Sequence, residues 1–145
     1  MGWVKQEDVN GCVVASLAMI VGKSYAEVKA ELPPKDLSTG AFTAFTAESY
    51  LYEHGYVLLK KWKHICSLDK DREQWPVEPF APVHYVQVVN GDQGKAHAVV
   101  LLENGDVLDP WADATPKKLT DYAQVNEIIG VWPSVAADGA RERRE

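Results

Sequence analysis

Hydrophobic positions follow two different rhythms along the 145-residue chain. In the first half they cluster in runs that suit helices. "VNGCVVASLAMIVG" (9–22) opens with an Asn10–Gly11 turn and continues as an apolar run, which predicts a buried helix to about Val21. Ser24 then reads as the N-cap of "SYAEVKAEL", with Glu27 three residues on to complete a capping box. Pro33–Pro34 ends that helix. A third helix is expected in "TAFTAESYLYEHG" (43–55), started by Thr43 or Thr46 and stopped at Gly55.

The second half reads as strands. "YVLLKKW" (56–62) is apolar and β-prone. "PVHYVQVVN" (82–90) alternates and runs into the turn "NGDQG". "AHAVVLL" (96–102) follows, then a tight hairpin at Asn104–Gly105, then "DVLDPW" (106–111). A short helix around "LTDYAQVNEI" (119–128) and a last strand "GVWP" (130–133) complete the pattern. Helices first and antiparallel strands after them describe an α+β fold. Residues 1–135 form one domain on this reading, and "AADGARERRE" (136–145) is a flexible tail.

Composition narrows the function. The net charge is −6, from 15 basic and 21 acidic residues. A nucleic-acid or anionic-membrane surface needs clustered Lys and Arg, so neither partner is expected. No apolar run approaches the roughly 20 residues of a membrane span. "MGWVKQED" has no signal-peptide core, and Gln6 stands where a myristoylation signal wants Ser or Thr. The expected compartment is the cytosol, where two cysteines stay unbridged.

Cys12 carries the chemistry. It is the first residue past the Asn10–Gly11 turn, at the start of the first helix. There the macrodipole and unpaired N–H groups stabilise a thiolate. A buried cysteine acting as a small hydrophobe is the plainer alternative. A nucleophile needs a base, and there are four histidines. His54 sits at a helix C-terminus, His64 in a polar stretch, and His84 within a strand with a surface or half-buried reading. His97 differs, because it opens an apolar strand. Asp109 lies nearly opposite His97 across the expected hairpin and precedes Pro110. It could orient the imidazole or simply cap a turn. Gln6, six residues before Cys12, could point its amide at the site beside the Cys12 N–H. Cys66, in "HICSLD" with His64 two residues away, has no zinc spacing and reads as structural or incidental. Trp111 follows Asp109–Pro110 and could wall the cleft near His97.

The order Gln, helix-opening Cys, His on a strand and Asp after a hairpin resembles the papain-like cysteine peptidase superfamily. Within it, "QEDVNGCVVASLAMI" with "HAVVLLENGDVLDPW" is similar to the bacteriocin-processing, double-glycine-leader peptidases and their stand-alone relatives. The likeness spans roughly residues 3 to 133. Here Val13 follows the nucleophile, where the family usually has Gly, and Gly11 precedes it. No transporter domain follows, so leader removal coupled to export is not expected. The resemblance implies N-terminal helices packed on a C-terminal antiparallel sheet. It implies Cys12 as nucleophile, His97 as general base and acid, Asp109 as orienting residue and Gln6 as oxyanion donor. Gly11 and Trp111, beside Cys12 and Asp109 in the chain, are the candidate substrate-binding residues. The expected activity is hydrolysis of a peptide or isopeptide bond in a peptide or protein substrate. No metal or organic cofactor is expected. Acyl transfer and deamidation use the same triad, and a peptidase-like binding module or inhibitor is the non-enzymatic alternative. Oligomeric state is open.

Overall fold

An apolar run with no polar face makes a helix that must be buried all round. That is α1, Cys12–Val21, in which residues 13–20 are all buried. Gly22 stops it in the left-handed conformation, φ 73°, and returns its N–H to the Ala18 carbonyl at 3.0 Å. The computed structural model describes residues 1–33, 44–63, 79–89, 96–111, 113–122 and 124–134. The capping box forms as expected on α2, Tyr25–Glu31. Glu27 N donates to Ser24 Oγ at 3.1 Å and Ser24 N to Glu27 Oε1 at 3.2 Å. The third helix, α3, spans Ala44–Glu53 and is followed by Gly55 at φ 88°. Pro34, Thr43, His64, Cys66, the turn "NGDQG" and the tail 136–145 lie outside the described residues.

Among the described residues five strands form one antiparallel sheet: β1 Tyr56–Lys63, β2 Val83–Val89, β3 Ala96–Leu102, β4 Val107–Leu108 and β5 Gln124–Pro133. Their order across the sheet is β1-β5-β2-β3-β4. The α+β class is therefore present. One face packs on α1 through Val83, Tyr85, Ala98, Val100, Leu108, Ile129 and Val131. The other face carries Val86, Val88, Val99, Leu101 and Ile128, covered by Leu119 and Tyr122. Among the described residues no helix is long and apolar enough to cross a membrane.

Two expectations need correction. The expected helix at 119–128 is only a 3₁₀ turn, Leu119–Asp121, and β5 begins at Gln124 rather than Gly130. Leu119, Tyr122, Val125 and Ile128 recur every third residue, which imitates a helix. A register shift opposite Gln87/Val88 supplies the physical reason. It puts Val125 and Ile128, three apart, on one face of a strand. The last hairpin strand is also shorter than 106–111. It pairs only as Val100↔Leu108 and Leu101↔Val107, because Pro110 cannot donate to a ladder.

A third correction concerns the burial of His84. It is fully buried in β2, not at or near the surface. Its Nε2 accepts the N–H groups of Phe80 and Ala81, each at 3.1 Å, while Nδ1 donates to the Leu101 carbonyl at 3.0 Å. Burial holds its pKa below the ordinary histidine value. A depressed pKa stabilises the fold above about pH 6.5, and that share is lost as pH falls through the folded value. His84→Leu strands three backbone groups, at about 1–3 kcal/mol for each one left buried and unpaired. A thermal melt is expected to show a large loss of Tm. The difference from wild type should shrink on acidification.

Candidate active site

The end of β3 is where the candidate residues converge, and the reason lies in β4. Because β4 pairs only with Val100 and Leu101, no strand among the described residues lies on the outer edge of β3 at His97 and Ala98. Helix α1 docks there instead. Ser16, fully buried and one turn along from Cys12, donates from Oγ to the Ala98 carbonyl at 3.1 Å. The Ala98 backbone also stands by the Cys12 sulfur and helps hold its pKa below the ordinary thiol value. Cys12 packs against the α1 side of the sheet, whereas His97 lies opposite Val88 on the other side. The thiol and the imidazole thus arrive from opposite faces and meet at the strand end.

Asp109 comes just past β4. It is 4% exposed, yet every side of its carboxylate is answered. Oδ1 lies 2.7 Å from His97 Nε2 and accepts the Trp111 N–H at 2.9 Å. Oδ2 accepts the Tyr122 hydroxyl at 2.7 Å. The hairpin before it is looser than the expected two-residue turn. Leu102 N donates to Asp106 O at 2.8 Å and Gly105 takes φ 91°, which makes a three-residue loop closed by a left-handed glycine. His97 and Asp109 still meet, because Asp109 has left the ladder and can turn toward the ring.

The proton affinities follow from these contacts. Burial pushes the Cys12 thiol up, but the His97 hydrogen bond, the Ala98 backbone and the charge on His97 outweigh it, and the pKa falls below the ordinary thiol value. Burial pushes His97 down, but hydrogen bonds to Asp109 and Cys12 raise it to about 9. Asp109 is likewise pushed up by burial and brought below the ordinary carboxylate range by His97, Tyr122 and the Trp111 N–H. The direction is that of a thiolate–imidazolium pair backed by a carboxylate, with Nε2 facing Asp109 and Nδ1 left for Cys12.

The N-terminal segment closes the site from the outside. Trp3 Nε1 donates to the Asp109 carbonyl at 2.8 Å, and Gln6 N donates to the Pro110 carbonyl at 3.0 Å. The Gln6 side chain is buried, and its Nε2 donates to the carbonyls of Asp8 and Val9 at 3.0 and 3.1 Å. Its Oε1 is buried with no hydrogen-bond partner among the described residues. In this structure the amide braces the turn ahead of Cys12 rather than an oxyanion.

Gly11 is a packing position. A Cβ there would meet Tyr25 Oη at 2.0 Å, and that hydroxyl donates to Asp8 Oδ2 at 2.6 Å. Trp111 is 55% exposed beside Asp109. Tyr122, Ser16 and Trp3 join the site without any motif to announce them. Among the described residues no group of three or more His, Cys, Asp or Glu side chains could hold a metal ion. No protein-family model and no curated protein matches the chain.

Proposed function

We propose that the protein is a papain-like cysteine hydrolase acting on a peptide or isopeptide bond. The observation that carries this reading is the buried His97–Asp109 pair beside a thiol of lowered pKa at a helix start. A lone buried cysteine would need neither partner. In the proposed reaction the Cys12 thiolate attacks the carbonyl carbon and forms a C–S bond. The His97 Nδ1–H passes its proton to the leaving nitrogen as the C–N bond breaks, leaving a thioester. Neutral His97 then takes a proton from water as its oxygen attacks the thioester, and the thiolate departs. Asp109 stays ionised throughout and steadies the imidazolium.

The oxyanion would be met by the Cys12 backbone N–H, since the first N–H groups of a helix have no intrahelical acceptor. Gln6 is the proposed second donor. That role asks its amide to turn one hydrogen from the Asp8 and Val9 carbonyls to the substrate oxygen. Gln6→Ala is expected to cut turnover by about 10²–10³-fold while leaving Cys12 as reactive toward small alkylating agents as before. A parallel fall in alkylation would instead assign Gln6 to the turn alone.

A vinyl-sulfone trap followed by mass spectrometry tests the whole reading. Labelling is expected on Cys12 and is expected to collapse in His97→Ala. An unlabelled Cys12 in the folded protein overturns it. With a cleaved substrate in hand, the product separates the chemistries. A freed amine with a new carboxylate means hydrolysis of a peptide or isopeptide bond, ammonia means deamidation, and an acylated amine means transfer.

A further inference from the structure

We propose that Tyr122 is a positioning residue of the triad: its hydroxyl pins the Asp109 carboxylate so that Oδ1 faces the His97 ring. The inference rests on the hydrolase reading and names a further member of the same site. A carboxylate turns easily about its last torsion, whose energy wells are broad. Asp109 also lies beyond the last paired residue of β4, so no ladder fixes it. What fixes it is the set of three donors, and the only one on Oδ2 among the described residues is Tyr122 Oη at 2.7 Å. Tyr122 is itself 4% exposed, so the bond is shielded from water.

The placement of Tyr122 is built into the backbone. Lys117 and Val107 exchange both N–H···O bonds at 2.8 Å, which ties the segment before Tyr122 to the strand before Asp109. The 3₁₀ turn Leu119–Asp121 then lifts the chain, Lys118 N donates to Asp121 Oδ2 at 2.8 Å, and Tyr122 N donates to the Leu119 carbonyl at 3.2 Å. Leu119 is buried in the same cluster as Tyr122. Tyrosine and aspartate therefore hang from one anchored pair, Val107–Lys117.

Among the described residues the groups that set the charge of His97 are few. Cys12 faces it from α1 and Asp109 from beyond β4, with Tyr122 behind Asp109 and Asp121 next in the chain. From β2 its partner is Val88, which does not titrate. Loss of the Tyr122 hydroxyl lets Asp109 rotate, which weakens the bond to Nε2 and with it the hold on the imidazolium proton.

The test is an NMR titration of the His97 ring protons, assigned by their absence in His97→Ala. It needs no substrate. In wild type His97 is expected to titrate well above an ordinary histidine. In Tyr122→Phe, which keeps the ring in its cluster, the midpoint is expected to fall by about one pH unit, a change in proton affinity of about tenfold. Asp109→Asn should lower it further, and Tyr122→Phe should add nothing on top of it, because Tyr122 acts through Asp109. A melt of each variant establishes that it is folded. An unchanged or higher midpoint in folded Tyr122→Phe, or a full additional fall in the double variant, overturns the proposal. A wild-type His97 that titrates normally overturns the hydrolase reading instead.

Discussion

His97→Ala is expected to slow alkylation of Cys12 by iodoacetamide at pH 6 by about tenfold or more. The sign follows from the two shifted groups. Cys12 sits below its ordinary value, chiefly against burial and through His97, while His97 is raised to about 9. At pH 6 the imidazolium is present, and the lowered Cys12 pKa gives more thiolate than an ordinary thiol has at that pH. Each unit of lowering raises thiolate about tenfold at that pH and costs about threefold in nucleophilicity, so the balance favours the lowered thiol. Above about pH 9 the imidazolium loses its proton. An ordinary thiol is ionised by then, and the advantage over urea-unfolded protein vanishes. A flat pH dependence, or equal rates in wild type and His97→Ala, removes the nucleophile from the proposal. Cys12→Ala completes the set: turnover should disappear while the melt stays close to wild type. Persisting activity in folded Cys12→Ala would instead point to a binding module.

Gly11→Ala is the second large effect, and it acts on the fold first. Gly11 has φ −90° and ψ 9°, a conformation open to other residues, so backbone freedom is not the reason for glycine. Space is. The added methyl would stand 2.0 Å from Tyr25 Oη and 3.1 Å from the Asp8 carbonyl. Tyr25 is buried and tied to Asp8, and Asp8 O accepts the Gly11 N–H at 3.0 Å, so neither neighbour yields easily. The expected cost is about 1–3 kcal/mol or more, as for other overpacked sites. Tyr25→Phe removes the hydroxyl and leaves Cζ at 3.1 Å, still tight. In a double-mutant cycle the second change should therefore recover part of the loss. Strict additivity in chemical denaturation would show that the hydroxyl is not what excludes the methyl. Because Cys12 is the next residue, Gly11→Ala should also disturb its reactivity.

Local rules reached some of this directly. Ser24 with Glu27 declares a helix start, because capping needs only neighbours in the chain. His97 on a strand and Asp109 after a hairpin were legible for the same reason: turn chemistry at Asn104–Gly105 brings them near. Local rules failed where partners are remote. Nothing near Tyr122 in the chain says that it will meet Asp109, since the Val107–Lys117 bridge that joins them is a tertiary event. The segment 119–128 imitated a helix because a bulge opposite Gln87/Val88 changed the spacing of buried positions. His84 looked half-exposed because its acceptors and donors, Phe80, Ala81 and Leu101, come from the loop before it and the strand beside it.

The bonds from Trp3 and Gln6 to the Asp109 and Pro110 carbonyls give the chain's first residues a mechanical role. A pull on the N-terminus loads the Asp109 loop before any ladder of the sheet, so the site should slacken at forces that leave the sheet intact. For the same reason a bulky fusion ahead of Trp3 is a poor neighbour for the Cys12–His97–Asp109 cluster.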